Sequence, residues 1–139
     1  MDKDLIDSAV ERAMRKEMEW GFDDCSLWVC DIILEHSGVD LAQLLRGKYA
    51  SRSEAYRLMN IFSGGGLVET AVRLAKIAGL KRVEFPWDGC LVGIVADANG
   101  PALALFWNDA WLGRTERGVT ILPPSAGVIA WEVPPCRPL

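Results

Sequence analysis

Histidine is almost missing from this sequence: the 139 residues contain one, His36. A histidine-rich metal site is thereby excluded, and any reaction that needs an imidazole base has a single candidate. The four cysteines, at 25, 30, 90 and 136, include no Cys-x-x-Cys pair. That spacing suggests neither a zinc site nor a thioredoxin-type motif, and reduced thiols in a cytosolic protein are the expectation. No metal or other cofactor is implied. No apolar run approaches the roughly 18 residues of a membrane span. The chain opens Met1-Asp2-Lys3-Asp4 into a charged amphipathic segment, unlike a signal peptide. Positive charge is not in excess, with 15 Lys and Arg against 19 Asp and Glu for a net charge of −4. A general nucleic-acid-binding role therefore has no electrostatic footprint. Repeats, low-complexity tracts and linkers are lacking too.

What remains is an ordinary globular composition, 50% hydrophobic and 24% charged, long enough for one self-sufficient core. Helical periodicity predicts a first helix over residues 2–19, with Leu5, Ile6, Ala9, Ala13 and Met14 on its apolar stripe. A second helix is expected from about Asp24 to His36, stopped at Gly38. A short helical turn follows at 40–45. A third helix, capped by Ser51 or Ser53, runs to about Phe62, and a fourth spans Leu67 to Ala78 before Gly79. Ser63-Gly64-Gly65-Gly66 is read as a flexible break, because no strand precedes it and no Lys-Ser/Thr follows to make a phosphate loop. From Lys81 the period changes to that of strands, expected at 90–96, 101–107, 110–114, 118–122 and 128–133. Helices first and an antiparallel meander after them give an α+β class, with N-terminal helices packed on a small antiparallel sheet. The predicted domain is 1–133, its helices over about 2–78 and its sheet over about 81–133. Residues 134–139, rich in proline, form a loose tail.

The stretch with the most chemistry is Trp20-Gly21-Phe22-Asp23-Asp24-Cys25-Ser26-Leu27-Trp28. Asp23 or Asp24 can cap the second helix, which places Cys25 in its first turn. There the helix dipole favours a thiolate. Cys25 is thus a candidate nucleophile, or else a small core hydrophobe, as free cysteines commonly are. Neighbouring Asp23, Asp24 or Asp88 could accept a proton, yet carboxylates beside a thiol also oppose its ionisation. His36 follows Cys25 by 11 residues, about 16 Å along a continuous helix at about 1.5 Å per residue. A nucleophile and its base need about 3 Å. Cys30 falls on another face of the helix, where a structural thiol is expected, while Cys90 opens a strand that could approach Cys25.

Six tryptophans stand out. Trp20, Trp28 and Trp131 lie in patterned elements and read as core. Trp107 and Trp111 share a hairpin beside Arg114 and Arg117, a composition that suits a protein interface or a sugar platform. Completion of a small core is the competing reading for all six.

Trp-Gly followed by Asp-Cys-Ser at a helix start, with a small antiparallel sheet behind it, resembles the NlpC-type cell-wall peptidases of the papain-like superfamily. A closer resemblance, along nearly the whole chain, is to a phage and prophage family with the same plan. It is carried by Trp20-Gly21, Asp24-Cys25, Gly38-Val39-Asp40, Gly47-Lys48-Tyr49, Asp88-Gly89 before Cys90-Leu91-Val92, Pro101 to Leu105, Gly118, Leu122-Pro123 and Ala130-Trp131-Glu132-Val133. The resemblance implies an NlpC-like fold and Cys25 at the nucleophile position. Trp20, Gly21, Asp24, Asp88, Ala102 and Arg114 would then be neighbours of a vestigial site. Ala102 stands about where the peptidases carry their histidine, and Arg114 about where a polar residue orients it. Arginine cannot replace that group, because its guanidinium stays protonated. The expected function is therefore a structural or assembly component at a phage tail tip, built on an inactive peptidase scaffold. Its partners would be other tail proteins, and it would reside in the host cytoplasm during assembly or in the virion tail. The alternative is a working peptidoglycan cysteine hydrolase using Cys25.

Overall fold

A computed structural model describes residues 1–135. The tail expected at 134–139 lies largely outside the described residues, Cys136 included. Asp2 opens helix α1, Lys3–Arg15, by accepting the Asp4 N–H at 2.9 Å. Ile6, Ala9 and Ala13 form its buried stripe, while Met14, expected inward, is exposed. The helix ends well short of residue 19. Lys16 is extended, and the Met18 N–H bonds the Glu116 carbonyl at 2.8 Å. Pairing with a distant strand turn replaces further helical bonds there.

Helix α2, Leu27–Ser37, begins three residues later than expected in its regular part. Its first turn is nevertheless set earlier, since the Trp28 N–H already reaches the Asp24 carbonyl at 3.0 Å. Gly38, with φ of 78°, stops it in the left-handed conformation that glycine adopts without penalty. Turns, not a helix, fill residues 40–48. Asp40 organises them by accepting the Ala42 N–H at 3.1 Å and a bidentate pair from Arg46 at 2.9 and 3.2 Å. Helix α3, Arg52–Ser63, is capped by Ser51, and α4 occupies Leu67–Ala78.

The strands are β1 Arg82–Val83, β2 Leu91–Asp97, β3 Gly100–Trp107, β4 Ala110–Thr115, β5 Gly118–Leu122 and β6 Gly127–Glu132. They form one antiparallel sheet in the order β1-β6-β2-β3-β4-β5. Residues 91–122 are the meander the turn signals predicted. The last strand departs from it, crossing back to lie between β1 and β2. The class is α+β, four helices and a six-stranded antiparallel sheet.

Strand alternation divides the interior in two. Val92, Ile94, Leu103, Leu105 and Trp131 face the helices and pack on Ile32, Ile33 and Val29 of α2. Leu91, Ala104, Phe106 and Trp111 face the opposite side. There Trp87 and Trp111 both donate their indole N–H groups to the Pro124 carbonyl, at 2.9 and 3.3 Å. Trp111 fits only because two sheet positions are glycine. A Cβ at Gly93 would stand 2.7 Å from its ring, and one at Gly127 would stand 2.8 Å from it.

Candidate functional site

The motif stretch folds around one carboxylate. Asp24, 1% exposed, receives the Ser26 and Leu27 N–H groups on Oδ1, at 3.1 and 2.9 Å. Its Oδ2 takes the Gly21 N–H at 3.0 Å and the Tyr49 hydroxyl. Asp24, not Asp23, is therefore the cap of α2. A carboxylate offers about four acceptor positions, and all four are in use. Burial, then the Asp24 carboxylate, raises the Tyr49 pKa and keeps its phenol a donor. Gly21 belongs to the same clamp. Its φ is 85°, its carbonyl receives the Gly47 N–H at 2.8 Å, and a Cβ on it would stand 1.9 Å from the Tyr49 carbonyl oxygen. The pieces Trp20-Gly21, Asp24-Cys25 and Gly47-Lys48-Tyr49 are thus one structural unit. Tyr49 had no assigned role in the sequence, because 25 residues separate it from Asp24 and no local periodicity links them.

Cys25 follows the cap and is half-buried. Burial pushes its thiol pKa up and the Asp24 charge pushes in the same direction. These two influences oppose the helix-dipole effect expected from its position. Cys30, one turn on, is buried and pushed up to about 12, chiefly by desolvation. His36 sits at the far end of a helix with no break between Leu27 and Ser37.

Beside Cys25 lies a cavity of about 120 Å³. The α3–α4 hairpin forms one wall through Leu58, Met59, Leu67 and Leu74; the sheet forms another through Val92, Pro101 and Leu103. Trp20, Asp24 and Cys30 also line it. The space is partly open to solvent and its lining is mostly apolar. The loose fit traces to α3, whose one buried residue is Ala55.

Several predicted site residues stand elsewhere. Ala102 packs on the opposite sheet face, against the Trp111 cluster; its neighbours Pro101 and Leu103 face the cleft. Asp88 and Cys90 line a separate surface recess with Lys3, Trp107 and Asp109. Cys90 thus lies at the β3 end remote from Pro101, with its pKa raised to about 11 by burial. Arg114 is 4% exposed and donates to the Ala13 and Lys16 carbonyls at 2.8 and 3.0 Å, to Gly118 at 3.2 Å and to Asp23 at 3.3 Å. It closes the C-terminal end of α1, where cations are favoured. The expected Trp107–Trp111–Arg114–Arg117 interface is consequently broken up. Trp111 is fully buried, Arg114 is internal and Trp107 is half-buried. Arg117 alone is exposed, paired with Glu17 at 3.2 Å. Among the described residues no helix is long and apolar enough to cross a membrane, and no three His, Cys, Asp or Glu side chains cluster to hold a metal.

No curated protein and no solved structure matches the chain. The family model described as a domain of unknown function, DUF6950, matches residues 2–133, and the chain belongs to that family.

Proposed function

We propose that this domain is a non-catalytic, NlpC-like scaffold serving as a structural or assembly component of a phage tail, with other tail proteins as its partners. One observation carries the non-catalytic part: the β3 side chains facing the Cys25 cleft are Pro101 and Leu103, neither of which accepts a proton. Asp24, the carboxylate nearest the thiol in sequence, already holds four donors. The triad logic of a nucleophile, its base and an orienting group is met here by a nucleophile position alone. The placement in a tail rests on the resemblance of the motif set to phage and prophage proteins.

The pH dependence of Cys25 alkylation in the folded protein tests this reading, with Cys30 and Cys90 as internal controls. The expected result is slow reaction at neutral pH, rising only above the free-thiol pKa of about 8.5. Cys25→Ala should also leave particle assembly intact. A fast reaction with an apparent pKa well below that of a free thiol would overturn the proposal. It would favour the second reading, a peptidoglycan hydrolase whose base comes from a partner. The placement of Cys25 in the first turn of α2, opening on a cleft, is what supports that alternative.

A further inference from the structure

We propose that the cavity between the α3–α4 hairpin and the Cys25 end of α2 is a binding site for a compact, neutral, apolar group, the size of a benzene ring or a short branched chain. Its volume, about 120 Å³, approaches the roughly 150 Å³ of an engineered apolar cavity that binds benzene. The walls differ in stiffness. On the sheet side Val92, Leu103 and Trp131 are buried in the close-packed core, at 2%, 8% and 5% exposure. On the hairpin side Leu58, Met59 and Leu74 remain half-buried although they line the space. Unbranched Met59 can reshape around different occupants. One rigid wall and one adjustable wall suit a site that admits a ligand from the hairpin side.

The polar groups at the wall set the chemical class. The four acceptor positions of Asp24 are filled from within the protein. The Thr70 hydroxyl pairs with that of Ser63 at 3.0 Å. No Lys, Arg or His lines the space, so an anionic ligand would lose its hydration with no counter-charge to replace it, whereas an apolar one gains by leaving water. The Cys25 thiol is at the wall as well, so occupancy should shield it. This holds whether or not Cys25 is catalytic.

The test is alkylation of Cys25 in the native protein with benzene or benzoate present, Cys90 in its separate recess being the control. Benzene at ten times its Kd should slow the Cys25 reaction about tenfold, leave Cys90 unchanged and raise the Tm. Benzoate should do neither. Ala71→Leu and Ala55→Leu, which fill the space from α4 and α3, should each abolish the benzene effect. No protection by benzene up to its solubility limit would overturn the proposal. So would equal protection by benzoate, or undiminished benzene protection in both folded variants. The benzene–benzoate comparison needs no variant and decides the matter even where a filled variant fails to fold.

Discussion

Replacing Asp24 by alanine should be among the most damaging single changes available in this chain. The side chain serves four donors at 1% exposure, and alanine leaves all four without their acceptor. Loss of the α2 cap alone costs about 1 kcal/mol. The bonds to Gly21 and Tyr49, made to a charged acceptor, contribute about 1.5–3 kcal/mol each. They share one carboxylate and do not add fully, so the expected loss is about 4 kcal/mol, near the upper end of single-mutant effects. Against a total stability of about 5–15 kcal/mol, that brings the domain close to unfolding. At about 4 °C per kcal/mol for a chain of this length, the Tm should fall about 15 °C. Tyr49→Phe removes one bond and should cost about 1.5 kcal/mol. Asp24→Asn keeps one carbonyl oxygen for Ser26 and Leu27 but turns an amide donor toward the Gly21 N–H, so it should fall between the two. Urea unfolding followed by tryptophan fluorescence measures each variant, and a double-mutant cycle of Asp24→Asn with Tyr49→Phe measures their coupling. A coupling of about 1 kcal/mol is expected for groups in one network. If Asp24→Ala stays within about 1 kcal/mol of the parent, or the cycle shows no coupling, the clamp is not what holds the motif together.

Gly21→Ala should cost at least about 3 kcal/mol, since the left-handed φ adds about 1–2 kcal/mol to a backbone clash at 1.9 Å; circular dichroism at rising temperature would show it, and an unchanged Tm would mean that the Tyr49 loop moves aside freely. Arg114→Ala should lose about 3–5 kcal/mol by leaving the Ala13, Lys16 and Gly118 carbonyls without their charged donor, and Arg114→Lys should recover little because one ammonium cannot span those acceptors. Amide exchange should accelerate first in α1. Stability should also decline in alkali. Burial pushes the Cys30 thiol up to about 12 and the Cys90 thiol up to about 11, above the free-thiol value of about 8.5. The unfolded chain therefore releases these protons first, and stability that is complete below about pH 8.5 is lost as pH rises toward the folded values. The slope should approach about 1.4 kcal/mol per pH unit for each thiol. Cys30→Ala should flatten it in a pH series of urea titrations, and an unchanged slope would assign the alkaline loss to other groups.

Element ends set by local signals are legible in the sequence. Helix α4 occupies the predicted Leu67–Ala78 because Gly66 and Gly79 bound a clear apolar stripe, and Gly38 stops α2 for the same kind of reason. Non-local partners were invisible. Helix α1 ends at Arg15 because Met18 bonds Glu116, about a hundred residues away, and nothing in residues 16–19 announces it. The return of β6 between β1 and β2 is a choice of edge that alternation alone does not make. Residue type and hairpin position leave Arg114 open between interface and site neighbour, and leave Trp111 open between interface and core; in the structure both are internal. One closes the end of α1, and the other fills space opened by Gly93 and Gly127. Within the site, Asp24 was legible as a cap and Tyr49 was not. The cavity depends on how the α3–α4 hairpin sits against the sheet, a quantity absent from any periodicity.

The motif around Cys25 has two separable parts. Gly21, Asp24 and Tyr49 are demanded by the backbone, since each satisfies a bond or a close approach that no other residue type meets as well. Nothing in the clamp demands a thiol at position 25. The cap acts through the Asp24 side chain on the N–H groups of Ser26 and Leu27, and alanine at 25 would present the same backbone to it. A chain under selection for folding alone would therefore keep the frame and be indifferent to the sulfur. Cys25→Ala is accordingly expected to change stability by less than about 1 kcal/mol, because only a half-buried sulfur is removed. The clamp can thus persist whatever side chain stands at position 25, whereas losing Asp24 dismantles it. A large destabilisation by Cys25→Ala would contradict this separation and make the sulfur a packing residue of the cleft wall.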